Sequence, residues 1–566
     1  MVRARFRLAT LAAVALGSAA LLLAGPLDPP SGPVAPTYKT LTEVEPRTAI
    51  TVANTPGDAD SVHRITKAGS YYLVADVAAP SGKAAIEVDL NVAPDVTIDL
   101  NGFTLRGATG SLYGIVSRGF GHIGVSNGSI TGFGQDGMEL DCRDYRVERV
   151  TFTQCLRGLS AGGHGSVSDC LFWGIGGDGL RLVGIASVER CLCWDCGTGI
   201  SVSNSSVVAE CQVISSSNTG FIVGENSVVR DCTAVANGGE GFVIGSNAVV
   251  SRCVAQYNQI GFLAGEWSVF EACTSDGNTD EGFWTADSCI FRACSASTNQ
   301  LQGFRAGSSA SFENCSAYAN SGTGFYAGQK STFVNCRATL GNGGGFEAGP
   351  ISVFTDCVAS ENSGGSGFLT LENATFAGCR ASTNANRGFQ TTSRTSFTDC
   401  EATNNGSLGF ETTDQSTLSG CLAANNGAGI SGTDGVTVSG CTASSNLGRG
   451  IAVNNGGRIV DNLTRNNILD GIAANYSCDI TGNNCNGDGG AAGNHGAIRV
   501  LGQANRIEAN NISYADRGLM IDLGGNVIIR NSVKGCAVDF SIAGGNDLGP
   551  IGSAATATSP FANIQY

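Results

Sequence analysis

Charge is scarce in this 566-residue chain. Asp, Glu, Lys and Arg make up 14% of it, against roughly 25% in an ordinary globular protein. The balance is acidic, with a formal net charge of −15, which argues against nucleic acid or an anionic membrane surface as partner. Lysine is nearly absent: only Lys39, Lys67, Lys83, Lys330 and Lys534 occur, so few basic groups are on hand to take a proton from a sugar carbon, as lyase chemistry requires. Four His and three Met, with no second Cys/His pair at zinc spacing, argue against a zinc module or a copper store. Twelve Pro without a Gly-X-Y period exclude collagen. Beyond the first 25 residues no apolar run is long enough to span a bilayer.

What the chain does have is glycine, 81 residues, and cysteine, 22 residues. It opens with Arg3, Arg5 and Arg7 ahead of an apolar run from Leu8 to Ala24, the pattern of a secretory signal peptide over 1–25. Pro26, Pro29, Pro30, Pro33 and Pro36 then make an extended linker over 26–39. The expected location is outside the cell or on its surface, in a bacterium.

The remainder is one repeat. Fourteen cysteines from Cys170 to Cys441 follow one another at 20, 21 or 22 residues. A Gly-Phe column keeps the same step from Phe221 to Phe410, with Met138, Leu159, Leu180 and Ile200 before it and Ile430, Ile451 and Ile472 after it. A second Phe column runs from Phe270 to Phe397, and an Asn column from Asn237 to Asn446. Within a unit the apolar residues alternate over short runs, which is a strand period. The alternation breaks between Phe333 and Cys336. The residue before each Cys is often Asp, Asn or Gly, as at Asp231, Asn335, Asp356 and Gly378, and these types tolerate the left-handed backbone of a sharp bend. About three short strands fit each unit, with no room for a helix.

Stacking such units predicts an all-β, single-domain parallel β-helix: about 20 rungs of about 21 residues at ~4.8 Å per rung. Residues 40–100 are expected to form an N-terminal cap and the first strands, 101–536 the β-helix, and 537–566 a C-terminal cap or tail that closes the open sheet edge. The Asn column is expected to bond along the axis, and the Cys column to be buried free thiols. Off the column, Cys142 with Cys155, Cys193 with Cys196, and Cys478 with Cys485 look more like disulfide pairs.

Gly57-Asp58-Ala59-Asp60, Gly69-Ser70-Tyr71-Tyr72-Leu73 and Ile98-Asp99-Leu100-Asn101-Gly102-Phe103 resemble the N-terminal region of secreted bacterial right-handed parallel β-helix repeat proteins, of the pectate-lyase-like superfamily. The resemblance covers about residues 40–566. It implies a right-handed coil, in line with the usual crossover preference. It does not select among the lyases, hydrolases, adhesins and tail spikes of that superfamily.

The superfamily's polygalacturonases carry a Gly-His-Gly, and Gly163-His164-Gly165 matches it, but the Asp pair and Arg-Ile-Lys are missing. The most charged and least regular stretch is 135–181, where Asp136, Asp141, Arg143, His164, Asp178 and Arg181 are the candidate catalytic residues. Trp267 and Trp284, close to one rung apart, are the candidate glycan-binding residues. No metal site is expected. Ca²⁺ has only the Asn483–His495 stretch, which is short of carboxylates. The loops between columns are short, so the reading is a monomeric exported scaffold or surface protein with an extracellular polysaccharide or cell-surface glycan as partner. The alternative is a polysaccharide lyase or glycoside hydrolase with its site near 135–181.

Overall fold

One turn shows how the sequence makes the fold. Phe283–Thr285, Ile290–Arg292 and Ser295–Ser297 are its three strands. Successive side chains on a strand face opposite ways, so Phe283 and Thr285 point in and Trp284 points out. Between strands stands a residue with left-handed backbone: Ser288 (φ 60°), Ala293 (φ 51°) and Thr298 (φ 51°). Such a residue turns the chain and shifts the alternation by one, which puts both Phe291 and Cys294 inside although they are three apart. A side chain there costs on the order of 1 kcal/mol. A hydrogen bond to the next turn holds it in place: the amides of Ser288, Ala293 and Thr298 donate to the carbonyls of Ser308, Glu313 and Tyr318 at 2.8, 2.9 and 3.0 Å. The left-handed residue before the cysteine is present as expected at Asp231, Asn335, Asp356 and Gly378, and also at Arg252 and Ala272, which sequence type alone does not mark.

The computed structural model describes residues 46–490 and 493–566; the expected signal and linker lie outside them. From Thr48 to Tyr566 the unit is a parallel β-solenoid, all-β, with no helix among the described residues. Each turn pairs in parallel with the next, as Phe283 with Phe304, Phe291 with Phe312, and Ala296 with Ala317. The turns form three sheets. The first carries the Gly-Phe column, the second the other Phe column, and the third the alanines after each Cys. The second sheet runs through 24 strands, from Thr48–Ile50 to Asp547–Leu548, against the expected 20 or so. The extra turns lie where the Gly-Phe and Cys marks are missing but the alternation persists. Thr48–Ile50 pairs with Tyr71–Leu73, and Val538–Ile542 still pairs with Arg517–Ile521. The tail then returns, and Asn563–Gln565 pairs with Ser532–Val533.

The core is columnar. Phe221 to Phe410 form one stack, with neighbouring centroids such as Phe221–Phe242 at 4.7 Å and Phe389–Phe410 at 4.8 Å. Phe270 to Phe397 form a second, and the two meet edge to face, as in Phe262–Phe270 at 5.8 Å and 75°. The Asn column bonds along the axis. Asn299 Nδ2 and its backbone amide both donate to Asn320 Oδ1, at 2.9 and 3.0 Å. Gly341 interrupts the column. It resumes at Asn362 and ends on Asp488, whose Oδ1 accepts from Asn467 and whose Oδ2 accepts from Thr464 at 2.7 Å. A second Asn column, Asn462, Asn483, Asn510, Asn531 and Asn563, continues upward from the cysteine positions.

All 22 cysteines are free, and all but Cys536 are buried. This agrees with the thiol column and corrects the three disulfide-like pairs. Cys142 and Cys155 follow different sheets and donate separately, Cys142 to Leu140 and Gly162, Cys155 to Thr153. Cys478 stands just before the second-sheet strand Asp479–Thr481, and Cys485 is the inward residue of a strand of the third. Cys193 and Cys196 both face the interior as thiols. Burial pushes Cys253, Cys294 and Cys379 well above the ordinary thiol value, which keeps them protonated and unreactive.

Candidate functional site

The residues singled out in 135–181 fall around one strand of the first sheet, Asp136–Leu140. At its start Asp136 is fully buried, and its Oδ1 accepts from Arg157 Nε at 2.8 Å. Burial raises its pKa, against the pull of Arg157. Asp178 follows Arg157 in the same column, and Arg181 stands on the outer face, in register with Ser160. Past the other end lie Asp141 and Arg143, both exposed. His164, in the second sheet, is in register with Asp144. Asp144 Oδ2 lies 3.0 Å from His122 Nδ1 and 3.7 Å from Arg143 Nε. The structure therefore brings Asp136 and Asp178 to one edge, Asp141, Arg143 and His164 to the other, and Arg181 onto the outer face between them, in the column of Glu139 and Ser160. Gly-His-Gly has a packing cause: Gly163 has φ 82°, and a Cβ there would sit 2.2 Å from the Cys142 carbonyl.

Trp267 and Trp284 do not share a face. Trp267 occupies a left-handed corner (φ 60°) after the first sheet. Trp284 lies within that sheet, with Arg305 over its ring at 4.5 Å. Arg305 is itself tied to the buried Glu281 at 2.9 Å.

Three further features emerge from the register and burial of these turns. Asp136 Oδ2 and Glu139 Oε2 are buried without a hydrogen-bond partner, and burial, then the neighbouring Glu139, raise the pKa of Tyr113. On the second sheet, Arg146, Glu148, Ser166, Ser168, Asp169 and Arg190 line an open depression of about 410 Å³. On the third sheet of the same turns, Trp173 and Trp194 stack outside the coil, with 5.9 Å between centroids and 17° between planes. They are 46% and 49% exposed. Their separation of 21 residues, one repeat, is the signal that finds them. Among the described residues no group of three or more His, Cys, Asp or Glu is placed to hold a metal ion. Asp488, in the stretch considered for Ca²⁺, is engaged by Asn467 and Thr464.

The pattern of a right handed beta helix region matches residues 90–229, 199–338 and 304–435. The chain belongs to this right-handed β-helix family. No curated protein matches it. Among solved structures it is similar to the periplasmic alginate epimerase AlgG, at 10% identity over 59% of this chain and 76% of that one, with a TM-score of 0.23. It is also similar to the A-module of the Azotobacter vinelandii mannuronan C-5 epimerase AlgE4, at 13% over 81% and 89%, TM-score 0.16. A third is pectate lyase Pel9A, at 13% over 50% and 71%, TM-score 0.20. Likeness at this level says nothing about the site.

Within this β-helix the Trp pair sits where the coil is least regular. Leu171–Leu182 and Leu192–Val202 each run from the third sheet into the first as one strand, with a register shift between Ile175 and Asp178. Inside, Phe172 and Cys193 anchor the two strands. The alternation that buries them sends Trp173 and Trp194 outward. Thr153 is in register beside Trp173, and its hydroxyl donates to Thr131 at 2.8 Å. Ile214 is in register beside Trp194.

Proposed function

We propose that this protein is an exported β-helix scaffold that holds a glycan at the Trp173–Trp194 stack. One observation carries the reading: two half-exposed indoles fixed one rung apart on a rigid sheet, where a sugar ring can stack on an aromatic face at little entropic cost. The strands beneath are set by the core, so the indoles are positioned before a ligand arrives. Asp136, buried against Arg157 and set at the opposite end of its strand from Asp141 and Arg143, supports a holding role over a cutting one. The test is retention of the protein on a panel of immobilised polysaccharides, scored together with release of reducing or unsaturated ends. Retention without new ends, lost in Trp173→Ala and Trp194→Ala, is the expected result. Release of ends by the wild-type protein refutes it.

A second reading, polysaccharide cleavage near 135–181, is favoured by the unpartnered carboxylate oxygens of Asp136 and Glu139 near Tyr113. A buried carboxyl with a raised pKa is the form of a general acid. Under this reading Asp136→Asn and Glu139→Gln abolish the release of ends while retention persists.

A further inference from the structure

We propose that the glycan held at Trp173 and Trp194 is an uncharged polysaccharide of equatorially substituted pyranose rings; this rests on the glycan-holding reading above. The argument is the state of the charges around the stack. Every arginine on the adjoining second sheet already has a carboxylate. Arg146 and Arg149 pair with Glu148, and Arg149 also donates to Asn127 at 2.8 Å. Arg190 holds Asp169 through two bonds, at 2.7 and 3.1 Å, and reaches Glu189 at 3.2 Å.

An acidic glycan needs a free cation, and binding here would mean breaking one of these pairs. The outer face of the third sheet offers none within two turns of the stack: Thr131, Thr153, Trp173, Trp194 and Ile214 follow one another in register, the charge next to Trp194 in the chain is Asp195, and Arg106, the nearest cation on that column, lies three turns below Trp173. The whole chain adds a net charge of −15, which repels polyanions at low salt.

What the site does offer matches a neutral sugar. Axial C–H groups give an equatorially substituted ring an apolar face for an indole. The Thr131–Thr153 hydroxyl pair beside Trp173 supplies a donor and acceptors for ring hydroxyls without charge.

The experiment is affinity electrophoresis and tryptophan fluorescence with the exported protein. Laminarin and hydroxyethylcellulose serve as neutral probes, polygalacturonate and alginate as acidic ones, each at low and high salt. The expected result is binding of a neutral probe that salt leaves unchanged, weakened about tenfold by Trp173→Ala or Trp194→Ala, with substantial recovery in Trp173→Tyr. Binding of an acidic probe that is as tight or tighter, fades with salt and still depends on Trp173 overturns the neutral class but leaves the glycan-holding reading standing. Retention by no probe overturns both.

Discussion

Phe325→Ala tests the columnar core at its centre. The ring is fully buried. It stacks on Phe304 at 4.7 Å and 1° and on Phe346 at 4.8 Å and 3°, and it meets Phe312 and Phe333 edge-on at 5.5 and 6.0 Å. Truncating a buried Phe to Ala costs about 3–5 kcal/mol. Loss of four aromatic contacts, each worth about 0.5–1.5 kcal/mol, places this site at the upper end, near ~5 kcal/mol. Neighbouring turns are fixed by their own hydrogen bonds, so the cavity cannot collapse easily. In a stack where each turn touches only its neighbours, the loss should also be local. Hydrogen exchange should accelerate around residues 304–346 and stay unchanged around Leu180 and Ile200. A loss under ~1 kcal/mol, or exchange that rises evenly along the coil, would refute the reasoning.

Two further outcomes follow from buried groups. Cys536 alone is only partly buried among the 22 free cysteines, so a thiol reagent should label one site quickly on the native protein and the others only on unfolding. Cys536→Ser should remove the fast phase, and fast labelling of several thiols in that variant would contradict the closed column. Burial lifts the Asp488 carboxyl from 3.8 to about 6. The native state therefore holds this proton more tightly than the unfolded chain, and the stability it contributes is full below pH 3.8 and lost as the pH climbs through about 6. The gap corresponds to about 3 kcal/mol. Asp488→Asn, which keeps an acceptor for Asn467, should raise stability by up to that amount at about pH 8 and by little at about pH 4, read as denaturation midpoints; an equal gain at both would refute it.

The columns were legible because a period of 21 survives any single substitution. Phe, Cys and Asn each occupy a place that every turn needs filled in the same way. The first and last turns were under-counted because pairing demands only alternation, which Thr48–Ile50 and Val538–Ile542 keep without any marker residue. The Cys142–Cys155 pairing failed because nearness in sequence is not nearness in a coil: the 12 residues between them carry the chain through two sheets. Trp173 and Trp194 were passed over for a similar reason. They belong to turns whose inward residues vary, and what joins them is register. Glu139 became visible only once Tyr113 and Asp136 stood beside it, since a lone outward Glu on a strand looks like solvated surface.

The axial Asn column has a direction. Along each segment the side-chain amide gives its N–H to the turn that follows, from Asn237 to Asn320 and again from Asn362 to Asn467. Backbone hydrogen bonds between turns run both ways, as in Phe221 to Gly241 and Gly224 to Val202, and so largely cancel. The amide dipoles of the column add instead. The coil thus carries inside it a polarised thread whose positive end points toward the C-terminal turns, much as a helix axis does. Asp488, a carboxylate in the acceptor position, stands at that positive end. The second segment finishes on a group that only receives, and above about pH 6 that group carries a negative charge.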